Sequence, residues 1–536
     1  MYAQIAHSVL VRRVRVSLGR ARIGVATTLL LAVGTSLSCR EASKAATSDP
    51  SPVTLRFGVA TPKTPDAAIG IRAFVNSLFS ESLVTTRADG RPMDRLASSW
   101  TWSPDFLTLE LKIRDDLKFH DGTPVDNNYI KDYLTQAFKN PSVSYKSVTR
   151  IDALPGNVVA IRLERPEALF LAELSNTTIS IRDPKKADIG LGAYRLLERG
   201  PRTRLAAFPG FYRGKPRIDS IEILEFEEQR ASWAALLRGE IDAVHEILPS
   251  ALDFLPGQTS VRAYSFTRPY FTHLLFNVKH PVLKDARVRQ ALSYAVDRQA
   301  IIDGALDGQG VVADGPIWPH HWAYAAQKTY THNIEAATLR LDAAGLRLGK
   351  VREAGHMPSR FRFKCLTVER NATFEKIAIL LQKQLYDIGV DMEIETVSLD
   401  QLGARFTAGN YDAILAERTT ARSLYWTYIA FHSTKLGGPY KSADATLDHL
   451  RGATDDSTVR ADVSDLQRIF HEDPPAIFIA WPKVARVVST KFVVPIDSRK
   501  SAQGRENDGR TETADTEDPG ADIIPTIYLW HAVGSR

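Results

Sequence analysis

At 536 residues the chain exceeds one hydrophobic core, since single cores stop growing at roughly 250–300 residues, and two or more lobes are expected. Hydrophobic residues at 44% and charged residues at 24% are a globular balance, which excludes a largely disordered chain. The formal charge of +6 falls to +1 once the five arginines Arg12, Arg13, Arg15, Arg20 and Arg22 of residues 1–38 are set aside, so the basic excess does not describe a nucleic-acid surface.

Those arginines precede an uncharged run from Ile23 to Cys39, the only stretch suited to a bilayer, and a polytopic channel is excluded. A charged region, an apolar core and small residues make residues 1–38 a secretory signal. Cys39, straight after Ser36-Leu37-Ser38, resembles the bacterial lipoprotein signal, in which the thiol is acylated and the chain is cut just before it. That signal prefers Leu three residues before the cysteine, where this chain has Ser36. Lipidation of Cys39, ordinary cleavage and an uncleaved anchor therefore stay open. Arg12-Arg13 is a weak twin-arginine signal, because Val14-Arg15-Val16 replaces the apolar residues expected after it. Residues 39–52 are polar and proline-terminated and read as a flexible tether. With two cysteines, Cys39 and Cys365, neither a zinc finger nor a disulfide framework can be built.

The folded part begins with an alternating strand at Leu55–Val59 and a helical stretch around 72–83. Leu107, Leu109, Leu111 and Ile113 alternate with Thr108, Glu110, Lys112 and Arg114, a strand with one wet face. Next, Asp121-Gly122 marks a tight turn, and Thr123 with Pro124 predicts an N-cap and first helical residue, with the helix running to about Phe138. His120 beside this turn is read as part of a turn-and-cap device, not as a catalyst. Strands follow at Val159–Leu163, after the glycine turn Gly190-Leu-Gly192, at Ile221–Phe226 and at Ile241–Val244, with a helix from Trp233 to Gly239 before the last. A strand at Phe271–Asn277 leads to the best helix, where Val288, Ala291, Leu292, Ala295 and Val296 share a face and Asp285 sits at the N-cap. The stretch from Phe361 to Leu366 reads as a strand that buries Cys365. Ile377, Leu381, Leu385 and Ile388 mark a helix ended by Gly389, and a strand follows at Val390–Val397. Residues 498–520 carry no large apolar side chain and read as a solvated loop, and Ile523–Trp530 predicts a terminal strand returning to the first lobe.

Several stretches occur in a specific order: Lys118-Phe-His-Asp-Gly-Thr-Pro-Val125, Gly190-Leu-Gly-Ala-Tyr194, Gly239-Glu-Ile-Asp-Ala243, Phe276-Asn277 and Ala286-Arg-Val-Arg-Gln-Ala-Leu-Ser-Tyr-Ala-Val-Asp-Arg-Gln-Ala-Ile301. Over roughly 54–490 the chain resembles the family 5 extracytoplasmic solute-binding proteins of ABC importers, which take peptides, dipeptides or nickel. The resemblance implies an α/β, two-lobed periplasmic-binding-protein fold of type II, with two crossing strands between the lobes and ligand in the cleft. It places a first lobe at 53–270 with an extra α/β subdomain at about 87–188, a second lobe at 271–485, and a return to the first lobe at 486–536.

Peptide-binding members fix the α-amino end with an aspartate in a segment resembling Ala-Asp-Tyr-x-Asp-Pro, after a Gly-x-(Tyr/Phe)-Asp strand. Here that strand is Gly409-Asn-Tyr411-Asp412-Ala-Ile-Leu415, but the next stretch is Glu417-Arg418-Thr-Thr-Ala-Arg422-Ser-Leu-Tyr425-Trp426. The expected aspartates are missing, which puts recognition of a free amino terminus in doubt. Arg418 and Arg422 are candidates to pair with a carboxylate or phosphate, and Glu417 to replace the lost acid. Tyr425 and Trp426, with Tyr270, Phe271 and Trp318, are candidate aromatic walls. Asn277 is a candidate contact, with backbone tying as its plainer role. His320-His321 invite a nickel reading, but adjacent side chains rarely converge on one ion, so no metal and no cofactor is expected.

The chain thus reads as a transport-receptor subunit, not an enzyme, capturing a peptide or peptide-like solute outside the inner membrane for ABC permease subunits. A non-peptide solute, anionic or a glycoside, and a sensory or chaperone-like binding protein without a permease are the alternatives. No Gly-x-Ser-x-Gly elbow, His-Glu-x-x-His helix or phosphate loop is present in the sequence. A monomer in the periplasm or cell envelope, held by a lipid anchor and without a nucleic-acid partner, is expected.

Overall fold

Two α/β layers meet along one long sheet in the computed structural model of the chain. It describes residues 52–60, 74–139, 147–167, 169–175, 181, 186, 188–247, 251, 257–326, 329–348, 359–420, 422–436, 438–495, 523–524, 526–534. The expected signal, Cys39, most of the tether and the loop 498–520 lie outside the described residues.

The early strands are β1 (Thr54–Ala60), a ribbon of β2 (Val84–Thr86) and β3 (Pro92–Asp94), and β4 (Ala97–Trp102), β5 (Thr108–Ile113), β6 (Val148–Leu154) and β7 (Val158–Leu163). The last four form an antiparallel sheet in the order β4-β5-β7-β6. Leu109, Leu111 and Ile113 of β5 are fully buried against Val159 and Ile161 of β7, the inner face that the alternation predicts.

The long sheet adds β8 (Tyr194–Glu198), β9 (Arg202–Ala207), β10 (Ser220–Phe226) and β11 (Ala243–Ile247). It continues with β12 (Val261–Thr267), β13 (Tyr270–Phe276), β14 (Gly310–Val312), β15 (Phe361–Val368), β16 (Val390–Val397), β17 (Ala413–Thr419) and β18 (Ala476–Ser489). The order is β16-β15-β17-β13-β18-β11-β1-β10-β9-β8, with β12 and β14 also paired to β18. A ribbon of β19 (Phe492–Val493) and β20 (His531–Ala532) closes the chain. β1 pairs in parallel with β10 and β11, and Leu55 and Phe57 lie beside Ile221 and Ile223 of β10 on one buried face, while Arg56 and Glu222 on the other face are only partly covered.

β18 joins the two ends. Ala476–Ala480 pairs with β13, whereas Lys483–Ser489 pairs with β12. β12 and β13 are separated only by Arg268-Pro269, and Pro482 of β18 lies opposite, its carbonyl accepting from Arg268 N at 2.9 Å. Neither proline has an N–H to give the ladder, and at this point β18 changes partner from β13 to β12 while its pairing with β14 continues through Pro482. These are the two crossing strands that the resemblance implies.

The helix Ala286–Ala295 starts at the predicted N-cap, Asp285, whose side chain accepts from Arg287 N, and buries Val288, Ala291 and Leu292. With the helix Ala372–Tyr386 it encloses Leu274 and Cys365 in one apolar cluster. Cys365 is fully buried, which pushes its thiol up to about 12 and leaves it unreactive.

Two expectations are corrected. The helix predicted from Thr123 begins at Asn127, capped by Asp126. Thr123 and Pro124 are used in a hairpin instead, Phe119 N donating to Thr123 O and Pro124 bridging to Lys118. The apolar segment Ile523–Trp530 is not a strand. It carries a single 3-10 turn at Ile527–Leu529, and Ile523, Ile527 and Trp530 pack with Leu55 and Phe57. Of the helical stretch expected at 72–83, residues 74–79 are helical.

Candidate ligand-binding site

The crossing carries a cluster of three paired charges. Arg268 sits between β12 and β13, Glu246 ends β11, and Glu417 lies on β17 opposite Thr272. Arg268 reaches Glu246 at 3.7 Å and Glu417 at 3.3 Å, so one cation holds carboxylates from both sides of the crossing. Its guanidinium also lies 4.6 Å from the ring centre of Tyr270, close enough for a cation–π contact. The three charged side chains keep 25%, 31% and 24% of their surface although they lie deep in the sheet, as the floor of a cleft would. Burial alone would raise the Glu246 carboxyl, but Arg268, His245 and Arg486 outweigh it and hold it below the usual carboxylate range. Burial works against the Arg268 charge, but Glu417 and Glu246 override it and fix the cation.

Five predicted site residues belong to this floor or to the strands beneath it. Tyr270 is 36% exposed and faces Arg268, and Glu417 is already bound to Arg268. Phe271 is core, 1% exposed among Phe431 of the helix Leu424–Phe431 and Phe478 and Trp481 of β18. Arg418, paired with Phe271 across the ladder, donates to Ala430 O at 3.2 Å. Burial pulls its pKa down to about 10, and Tyr411 compensates only in part. Asn277 plays its plainer part, donating to Tyr411 O at 2.7 Å and Gly409 O at 3.3 Å, and so ties β13 to the turn before β17.

The other four lie where residues 88–173 meet residues 318–460. Trp318 donates from Nε1 to Ala88 O at 3.1 Å. Arg422 has φ of 59°, a left-handed conformation that costs a non-glycine residue strain, just before Ser423 caps the helix Leu424–Phe431. Tyr425 and Trp426, on that helix, stand edge to face at 5.7 Å. Tyr425 also lines a cavity of about 80 Å³ with Glu167, Glu173, Tyr428, Lys435 and Arg451. Glu167 is held by Arg451 at 3.4 Å and Arg165 at 3.5 Å. Burial, with Glu167 beside it, raises the Glu173 carboxyl well above its usual range. A second cavity of about 240 Å³ lies between Trp102 and Phe106 on one side and Trp322 and Leu424 on the other.

Arg268, Glu246, Glu167 and Glu173 were not among the predicted site residues. Only the Arg-Pro step between two strands hints at Arg268 in the sequence, and nothing hints at the buried glutamates. Among the described residues no three His, Cys, Asp or Glu side chains gather as a metal group, and no helix is long and apolar enough to cross a membrane.

Comparison with known proteins agrees with this architecture. Similar chains include a probable D,D-dipeptide-binding periplasmic protein of Escherichia coli, 25% identical over 414 residues, covering 72% of this chain and 78% of that protein. The dipeptide-binding protein of the same organism is 25% identical over 439 residues, 73% of this chain and 81% of its own. Among solved structures, the oligopeptide-binding protein of Bacillus subtilis in complex with a nonapeptide superposes with a TM-score of 0.70 at 21% identity, covering 89% of this chain and 98% of that one. This likeness shows the periplasmic-binding-protein fold of type II. The family model for the middle region of bacterial extracellular solute-binding proteins, family 5, matches residues 91–437, and the chain belongs to that family of solute-binding proteins.

Proposed function

We propose that the chain is the extracytoplasmic receptor of an ABC importer for a peptide or peptide-like solute, which it binds between two lobes and releases unaltered to permease subunits. The lobes would span 53–270, with a subdomain at about 87–188, and 271–485, with 486–536 returning to the first. The observation that carries this reading is the crossing, where Arg268, Glu246, Glu417 and Tyr270 make a polar floor with an aromatic wall between the two sides of the sheet. A solute resting there touches both sides only when they are together, so binding favours the closed form.

Glu417 is the one acid between 413 and 423, and Arg268 already occupies it. A solute ammonium would have to displace that guanidinium, so recognition rests on the peptide backbone and not on a free amino end. Calorimetry with short peptides and their N-acetylated forms tests this. Comparable affinities are expected, with about 2.7 kcal/mol of added stability at a hundredfold excess over Kd. Binding confined to peptides with a free amino end would overturn it.

The protein is further proposed to act as a monomer in the cell envelope, anchored through acylated Cys39. The arginine-rich region, apolar core and following cysteine support this. Acyl labelling in the cell should be lost in Cys39→Ala, and equal labelling of both forms would refute the anchor.

A further inference from the structure

We propose that the extra subdomain is a latch: the turn Arg87–Arg91 grips the second lobe directly and holds the cleft shut without solute. This rests on the two-lobed reading above but invokes no ligand. The turn joins β2 to β3, with Arg87 N donating to Arg91 O at 2.8 Å and Gly90 N to Arg87 O at 3.0 Å. It presents two carbonyls outward. Ala88 O accepts from Trp318 Nε1 at 3.1 Å, and Asp89 O from Trp322 N at 2.9 Å. Arg91 then reaches Asp456 at 2.7 Å and lies 4.0 Å from the ring centre of Trp322. That indole is set in place from its own side by Arg460, which donates to Trp322 O at 2.8 Å and lies 5.2 Å from the ring.

Gly90 makes the grip possible. Its φ is +85°, and a Cβ there would stand 2.5 Å from Arg422 O and 2.5 Å from the buried His321 ring. Only a glycine lets the turn come this close, and the carbonyl it meets belongs to the strained Arg422. The chain segments in contact lie more than two hundred residues apart in sequence, so local folding does not bring them together. The contact is also reversible by construction. The Arg91–Asp456 pair is 36% and 59% exposed, a weak and salt-screened interaction, and the two backbone carbonyls find water equally well when released. Such a latch keeps the solute-free form closed and still opens when its ion pair is screened.

Spin labels at Thr101→Cys and Ser457→Cys, both exposed positions, on a Cys39→Ala background and with Cys365 buried, report the separation by pulsed electron resonance. The solute-free parent should give one short distance. Gly90→Val, and independently the double variant Arg91→Ala with Trp322→Ala, should add a longer distance and raise the radius of gyration above the about 23–24 Å of a compact chain of this length. High salt should add the same population to the parent. A mixed parent, or latch variants that keep the single short distance, would overturn the latch. Arg268→Met separates the two ways of failing. If it adds the long distance while the latch variants do not, the lobes move and the latch is wrong. If no variant adds it, the two-lobed clamp fails as well. Using two unrelated latch variants guards against misfolding of either, checked by an unchanged far-ultraviolet spectrum.

Discussion

His120 shows how a motif that looks like chemistry can be structure. It is 6% exposed, accepts from Gly190 N at Nδ1 and meets Gly192 O through Nε2 at 3.0 Å. The neutral ring with its proton on Nε2 satisfies both backbone groups, and it rivets the 117–125 hairpin to the glycine turn. A Cβ on Gly190 or Gly192 would stand 1.9 Å from Phe79 O or 2.4 Å from Leu78 O, so these two glycines admit the close approach that His120 fastens. Protonating Nδ1 would turn its acceptor into a donor facing another donor. Burial, against a smaller opposing effect of Gly192, accordingly pushes the imidazole pKa down to about 4. A lowered folded pKa means that the unfolded chain takes up the proton first, so stability is present above 6.5 and is lost as pH falls toward 4. His120→Gln keeps one donor and one acceptor but does not titrate. Its unfolding free energy in urea should fall between pH 7 and pH 5 by about 2 kcal/mol less than that of the parent. Equal losses in the two proteins would mean that His120 is not the group protonated.

At the scale of elements, legibility followed from whether a signal was used locally. The 286–295 helix was readable because its apolar stripe and its cap at Asp285 both lie within its own sequence, and β5 because one wet and one dry face alternate strictly. The 127–137 helix was placed three residues early because Thr123-Pro124 is a sound capping signal that the fold spends on the bridge to Lys118, leaving Asp126 to cap. Ile523–Trp530 is apolar enough for a strand, yet its side chains serve as plugs on the β1 cluster, a task that needs no ladder. The candidate site followed the same rule. Trp318, Tyr425 and Glu417 stand out in the sequence as aromatic or acidic residues, and in the structure Trp318 bonds Ala88 O, Tyr425 lines a small cavity and Glu417 pairs with Arg268. Of the adjacent candidates Tyr270 and Phe271, only Tyr270 lies on the exposed face, because successive side chains of a strand alternate. Arg268 and Glu167 each gain one charged partner, Glu417 and Arg451, from over a hundred residues away, and no periodicity encodes that.

For the whole molecule the decisive region is the crossing, where side chains join strands from both sides. There Pro269 and Pro482 lack ladder donors, and β18 changes partner from β13 to β12. Arg268 spans the same point through its side chain, holding Glu246 of β11 and Glu417 of β17. Replacing it by Met keeps much of the packing against Tyr270 but leaves Glu246 and Glu417 without the cation that each meets in the parent. In the parent, Glu246 is held below its ordinary range, so its contribution is present at neutral pH and is lost as pH falls through its folded value. In Arg268→Met burial is opposed only by His245 and Arg486, so acid is expected to relieve a buried charge instead of removing an attraction. The variant should therefore be less stable than the parent by about 2–4 kcal/mol at pH 7, and the gap should narrow toward pH 4. Thermal unfolding of both proteins across that range measures it. A gap of constant size would assign the loss to packing on Tyr270, and the crossing would then be held by shape and not by charge.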